Sequence, residues 1–85
     1  MDDIRAFIVN YVERTGKLPE GVDLDSFNFV QSGHIDSIGV FKFIIDLEAT
    51  FDIEITDDEL LLPQILTIGG LAAFVSAKRG ARHNG

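Results

Sequence analysis

The run Gly33-His34-Ile35-Asp36-Ser37-Ile38 places an imidazole, a carboxylate and a hydroxyl within four residues. Three such side chains could in principle form a nucleophile with its base. The rest of the chain does not support that reading. There is no Gly-x-Ser-x-Gly elbow, and 85 residues leave little room for both a substrate pocket and an oxyanion hole. Taken alone, Asp36-Ser37 reads as a helix N-cap, a position that both residue types prefer. A second group, Asp52, Glu54, Asp57, Asp58 and Glu59, could attract a divalent cation weakly. It lacks the glycine-containing twelve-residue loop of an EF-hand, so a solvated acidic edge is the expected state. His34 and His83 have no companions at ligand spacing, and there is no cysteine. Neither a metal site nor a disulfide is expected, and stability must come from packing.

The charge distribution narrows the function classes. The chain carries a net charge of -7, but residues 18–77 hold eleven carboxylates and one base, Lys42, for a formal charge of -10. Such a field repels nucleic acid and anionic membranes and steers basic protein surfaces toward it. Acidity also keeps a small protein in solution, so charge by itself does not name a partner. The N-terminus is acidic where a secretory signal would be basic, and no apolar run reaches the roughly 18 residues of a membrane span. A cytoplasmic location, as a monomer, is the expectation.

The elements that must position Ser37 follow from the apolar spacing. Ile4, Phe7, Ile8, Tyr11 and Val12 form one stripe on a helix that opens near Asp2 or Asp3. Gly16 is expected to end it in the left-handed conformation. Residues 17–36 show no period and read as a long loop, anchored across the core by Val22, Leu24, Phe27, Phe29 and Val30. A second helix runs from Ser37 to Phe51, capped by Asp36 or Ser37, with Val40, Phe43, Ile44, Leu47 and Phe51 on its core face. Ile38, Phe41 and Ile45 lie on a different side. An additional apolar stripe is either a second core surface or a docking face, and docking is the better fit. Residues 51–55 alternate like a strand with nothing to pair with, so an extended linker is expected. Thr56 and Glu59 match a capping box that opens a short third helix before Pro63. Thr67 can cap a last helix facing inward through Ile68, Leu71, Ala72, Phe74 and Val75, and Gly69-Gly70 in its first turn suggests close backbone approach. Residues 1–79 would form the domain and residues 80–85 a frayed, flexible tail.

Read together, residues 33–60 resemble the acyl carrier protein family. The most specific element is Gly-x-x-Asp-Ser-(Leu/Ile), matched by Gly33, Asp36, Ser37 and Ile38. Leu47-Glu48-Ala49-Thr50-Phe51-Asp52-Ile53-Glu54-Ile55 matches the family's continuation, and Ile68-Gly69-Gly70-Leu71 looks like the start of its final helix.

The resemblance implies an all-α fold, a small four-helix bundle with a long loop between the first two helices and a short third helix. It also implies a phosphopantetheine arm joined through a phosphodiester to Ser37, with Asp36 as the adjoining motif residue, and installed by a separate phosphopantetheinyl transferase. The arm would hold acyl or aminoacyl groups as thioesters, loaded by a ligase and processed by enzymes with basic docking patches. The domain itself would not be an enzyme. Partner-facing positions carried over from the family are Asp36, Ile38, Ile45, Glu48, Asp52, Glu54 and Asp57, with Phe41 at the edge of the apolar arc that contains Ile38 and Ile45. Gly39 and Lys42 stand where many fatty-acid carriers have acidic residues, which points to a specialised lipid or secondary-metabolite pathway. An unmodified carrier-like interaction module is the alternative.

Overall fold

A computed structural model describes residues 2–84, with side chains described from Asp3 to Gly80. Three α-helices carry the fold: α1 (Asp2–Glu13), α2 (Ser37–Phe51) and α3 (Ile68–Asn84). Short 3-10 turns lie between them at Leu24–Ser26, Glu59–Leu61 and Pro63–Leu66. Among the described residues there is no strand, only an isolated antiparallel bridge between Asn28 and Thr67.

The short third helix expected before Pro63 is not an α-helix. Thr56 and Glu59 do form the capping box: Glu59 N–H donates to Thr56 Oγ1 at 3.3 Å, and Thr56 N–H donates to Glu59 Oε1 at 2.9 Å. What they open is a single 3-10 turn. Pro63 has no N–H to continue a helical ladder, and the residue before a proline is pushed toward extended backbone. Leu62 accordingly sits at φ -72°, ψ 125° and separates two short turns.

Each helix buries the centre of the stripe that its spacing predicts, with Phe7, Tyr11, Val40, Phe51 and Phe74 partly buried at its edges. Ile4, Ile8 and Val12 from α1, Phe43, Ile44 and Leu47 from α2, and Ile68, Leu71, Ala72 and Val75 from α3 are all buried. Phe43 is a central contact, stacked on Tyr11 at 4.1 Å between ring centroids and edge-on to Phe29 at 5.6 Å. Ile53 and Ile55 are buried with no strand partner, as expected of an extended linker. Fully burying one such aliphatic or aromatic side chain contributes roughly 1.5–3 kcal/mol, and without disulfides that packing is the source of stability.

The loop between α1 and α2 crosses the core through Phe29, with Leu24, Phe27 and Val30 partly buried against it. Val22 does not anchor it and remains exposed, while Leu18 and Ile35 are buried instead. The loop is tied to the start of α3 by the Phe29 N–H to Leu66 carbonyl bond at 3.1 Å and the Ile68 N–H to Phe27 carbonyl bond at 3.2 Å. That junction explains Gly69 and Gly70. A Cβ on Gly69 would lie 2.6 Å from the Cβ of Asp25, and one on Gly70 would overlap the carbonyl oxygen of Gln64.

One further expectation differs from what is observed. Gly16 does not take a positive φ. Its missing side chain makes room instead for the His34 ring, whose Cδ2 would be 3.3 Å from a Cβ there. The backbone of α3 is helical from Ile68 to Asn84.

Candidate functional site

The first turn of α2 is built from its N-cap. Asp36 Oδ1 accepts the N–H of Gly39 at 2.6 Å, and the Asp36 carbonyl accepts that of Val40 at 3.0 Å. The cap therefore belongs to Asp36. Ser37 is exposed, and its hydroxyl makes no hydrogen bond to the described protein. Gly39 has a steric reason to be glycine, since a Cβ there would be 3.0 Å from Ile35 Cγ2 and 3.1 Å from the capping Asp36 Oδ1. The segment leading into the cap is held separately: Gly33 turns at φ +87°, and the N–H of buried Ile35 donates to the Phe29 carbonyl at 2.9 Å.

Beside Ser37 lies a groove of about 270 Å³, lined by Ser37 together with Val30, Val40, Phe41, Leu60 and Leu66. Every lining side chain except Ser37 is apolar. A larger hollow of about 430 Å³ on residues 22–32 does not include Ser37. The groove brings together three chain segments that the sequence reading treated separately. The signals for it were Val30 as a loop anchor and the Leu60-Leu61-Leu62 run.

The remaining site residues fall into two sets. Ile38, Phe41 and Ile45 are 81, 58 and 62 % exposed, so the second stripe of α2 faces solvent. Lys42 is exposed on the same helix. Leu61, 81 % exposed on the turn after the linker, is an exposed apolar residue that the sequence reading did not single out. The carboxylates are less uniform. Asp52, at φ 53°, is the left-handed C-cap of α2, and Glu54 and Asp57 are exposed along the linker. Glu48 is half-buried and turned toward the linker, where its Oε2 accepts the N–H of Ile55 at 2.9 Å. Behind the helix, burial and then the neighbouring Asp46 carboxylate push the Tyr11 phenol above its usual range. Tyr11 thus stays neutral around pH 7 and serves as a packing partner for Phe43.

Among the described residues no polar or charged side chain is buried, and no group of three or more His, Cys, Asp or Glu could hold a metal ion. No helix of the described residues is long and apolar enough to cross a membrane. What the site offers is one accessible hydroxyl at a helix start, an apolar groove beside it and an exposed helix face.

Comparison with known proteins accounts for that combination. The family model described as "Phosphopantetheine attachment site" matches residues 7–75. The chain is 31% identical over 78 residues to the acyl carrier protein of Chlamydia trachomatis serovar D, covering 92% of this chain and 94% of that one. It is 33% identical over 72 residues to the acyl carrier protein of Renibacterium salmoninarum, covering 85% and 83% of the two chains. With that of Sulfurovum sp. it shares 35% over 74 residues, covering 87% and 91%.

The chain belongs to the acyl carrier protein family.

No solved structure gives a significant match to this carrier. Phosphopantetheine is the group that the family bears covalently, and its members present cargo to enzymes rather than transform it. An exposed hydroxyl on the first turn of α2, with an apolar groove at its side, suits such a group sterically. It suits it electrically as well, because unpaired N–H groups and the helix dipole at a helix start favour an anionic phosphodiester.

Proposed function

We propose that this chain is a stand-alone carrier that bears phosphopantetheine on Ser37 and presents acyl or aminoacyl groups to partner enzymes. The observation that carries the reading is the division of labour at the start of α2. Asp36 supplies the cap, which leaves the Ser37 hydroxyl exposed and unbonded at the mouth of the apolar groove. When bound, the arm supplies a thiol that holds the cargo as a thioester. The chain's own residues do the rest: Ser37 anchors the arm, Asp36 holds the turn in shape, and Val40, Phe41, Leu60 and Leu66 offer an apolar surface beside it.

Ile38, Phe41 and Ile45 form the docking face in this reading, with Asp52, Glu54 and Asp57 as its acidic flank. Glu48, which the resemblance assigns to docking, has its carboxylate directed at the linker, and we place it at the edge of that face. Exposed charge pairs contribute about 0–1 kcal/mol each, so docking should be transient and sensitive to salt. Gly39 is explained by packing around the cap, which leaves Lys42 as the departure that bears on partner choice. A cation on an otherwise apolar helix face favours a dedicated, specialised pathway over general fatty-acid synthesis.

The test is intact-mass measurement after incubation with coenzyme A and a phosphopantetheinyl transferase. One phosphopantetheine should be added to the wild type and none to Ser37→Ala. Addition at another residue, or none with several transferases, would sink the assignment and favour an unmodified interaction module. The unmodified domain should show no turnover of ester or thioester substrates.

A further inference from the structure

We infer that His34 is a positioning residue for the transfer of phosphopantetheine to Ser37, an inference that rests on the attachment proposed above. The ring bridges two parts of the chain that lead into the site. Its Nε2 lies 3.2 Å from the carbonyl oxygen of Lys17, just beyond the exit of α1, and its Nδ1 lies 2.7 Å from Ser32 Oγ. A carbonyl can only accept, so Nε2 carries the hydrogen, while Nδ1 pairs with a Ser32 hydroxyl whose oxygen also lies 3.2 Å from the Phe29 carbonyl. The backbone N–H of His34 also donates to Ser32 Oγ at 3.3 Å. The edge of the ring meets Phe27, with centroids 5.3 Å apart and planes at 83°. Gly16 leaves the space that the ring occupies: a Cβ there would be 3.3 Å from His34 Cδ2 and 3.4 Å from Nε2.

These contacts matter because of where they act. Ser37 sits at the outermost turn of α2, and its own side chain is anchored to nothing in the described protein. Its position is set by α2 on one side and by residues 33–36 on the other. Ile35 fixes that segment to Phe29, and Asp36 fixes it to α2 itself. His34 fixes it to the exit of α1. In the transfer, Ser37 Oγ forms a P–O bond to the pantetheine-side phosphorus of coenzyme A as the pyrophosphate P–O bond breaks. Adenosine 3′,5′-bisphosphate leaves, and the hydroxyl proton passes to a base on the transferase. That reaction is sensitive to the placement of the oxygen, because small misplacements of a reacting group cost large factors in rate. The docking face on α2 does not include His34. Its loss should therefore act on kcat more than on KM.

The experiment follows phosphopantetheine transfer from coenzyme A by a purified transferase, with kcat and the KM for the carrier measured below every variant's melting transition. His34→Ala should lower kcat by about tenfold with KM little changed. His34→Gln, whose amide can still donate to the Lys17 carbonyl, should recover most of the loss. Val75→Ala, a core truncation in α3, controls for lost stability and should keep the wild-type kcat. Wild-type kcat in His34→Ala overturns the inference, as does an equal fall in Val75→Ala or a glutamine variant as slow as the alanine one. A wild-type chain that no transferase modifies overturns the attachment reading as well, so the two failures are told apart by the wild type alone.

Discussion

Asp36 and Ser37 are both good capping residues, and the site depends on which of them is used. With the cap taken by Asp36 Oδ1, the Ser37 hydroxyl is left exposed and without a hydrogen bond to the described protein, as the proposed attachment requires. Asp36→Ala should therefore cost about 1 kcal/mol, read as a lower urea midpoint with an unchanged denaturant slope. Asp36→Asn should lose less, because its amide oxygen can accept the same N–H. A fall of the same size in both variants would mean that the carboxylate charge, rather than the cap, is what stabilises the turn. His34 belongs to this scale as well, as a side chain whose anchors lie in two other segments. It lies near Ser37 in sequence, but its ring points to Lys17 and Ser32.

At the level of elements, the boundary of α3 carries the tightest packing. Gly70 faces the carbonyl of Gln64 so closely that no Cβ fits, whereas a Cβ on Gly80 would meet nothing within 4 Å. The two glycines should respond in opposite directions to the same substitution. Gly70→Ala should destabilise the fold by about 2 kcal/mol or more through forced movement of the loop beneath it. Gly80→Ala should stabilise it by up to about 1 kcal/mol, the difference in helix propensity, with less expected near a helix end. Thermal melting of the two variants beside the wild type checks both signs. The linker from Asp52 to Thr56 is likewise held from α2, through the Glu48 carboxylate on Ile55 N–H and the Glu48 carbonyl on Ile53 N–H at 3.2 Å.

Across the whole molecule, ion pairs join distant parts of an otherwise self-repelling chain. Lys78 on α3 reaches Glu59 at 2.6 Å, and Arg79 reaches Asp3 on α1 at 2.8 Å. The Lys78 ammonium, then the Thr56 N–H, holds the Glu59 carboxyl below the usual glutamate range, and the Arg79 guanidinium does the same for Asp3. A carboxyl whose pKa is lowered by folding stabilises the native state above its unfolded pKa, about 4.3 for glutamate, and loses that contribution as pH falls through the folded value. Glu59→Gln should thus be less stable than the wild type at pH 7, with the gap closing as pH drops below about 4. Urea midpoints of both proteins across this range provide the check. A gap that persists in acid would assign the effect to lost hydrogen bonds with Thr56 rather than to charge.

Much of this was readable from spacing. A stripe at three- and four-residue steps forces one helix face inward, so the buried residues of α1, α2 and α3 follow from local sequence, and the same spacing sets Ile38, Phe41 and Ile45 on another side of α2, which the structure leaves exposed. The motif around Ser37 named the family because its residues are contiguous. Relations between separate elements were decided only by tertiary structure: the groove that Val30, Leu60 and Leu66 complete beside Ser37, the space that Gly16 leaves for His34, and the turn of Glu48 toward Ile55. The replacement of a third helix by two 3-10 turns has a mixed origin. Pro63 announced the break, while the burial of Ile65 and the partial burial of Leu66 in the second turn are visible only in the fold. Periodicity records which way a side chain faces along its own element. It does not record what another element will place in front of it.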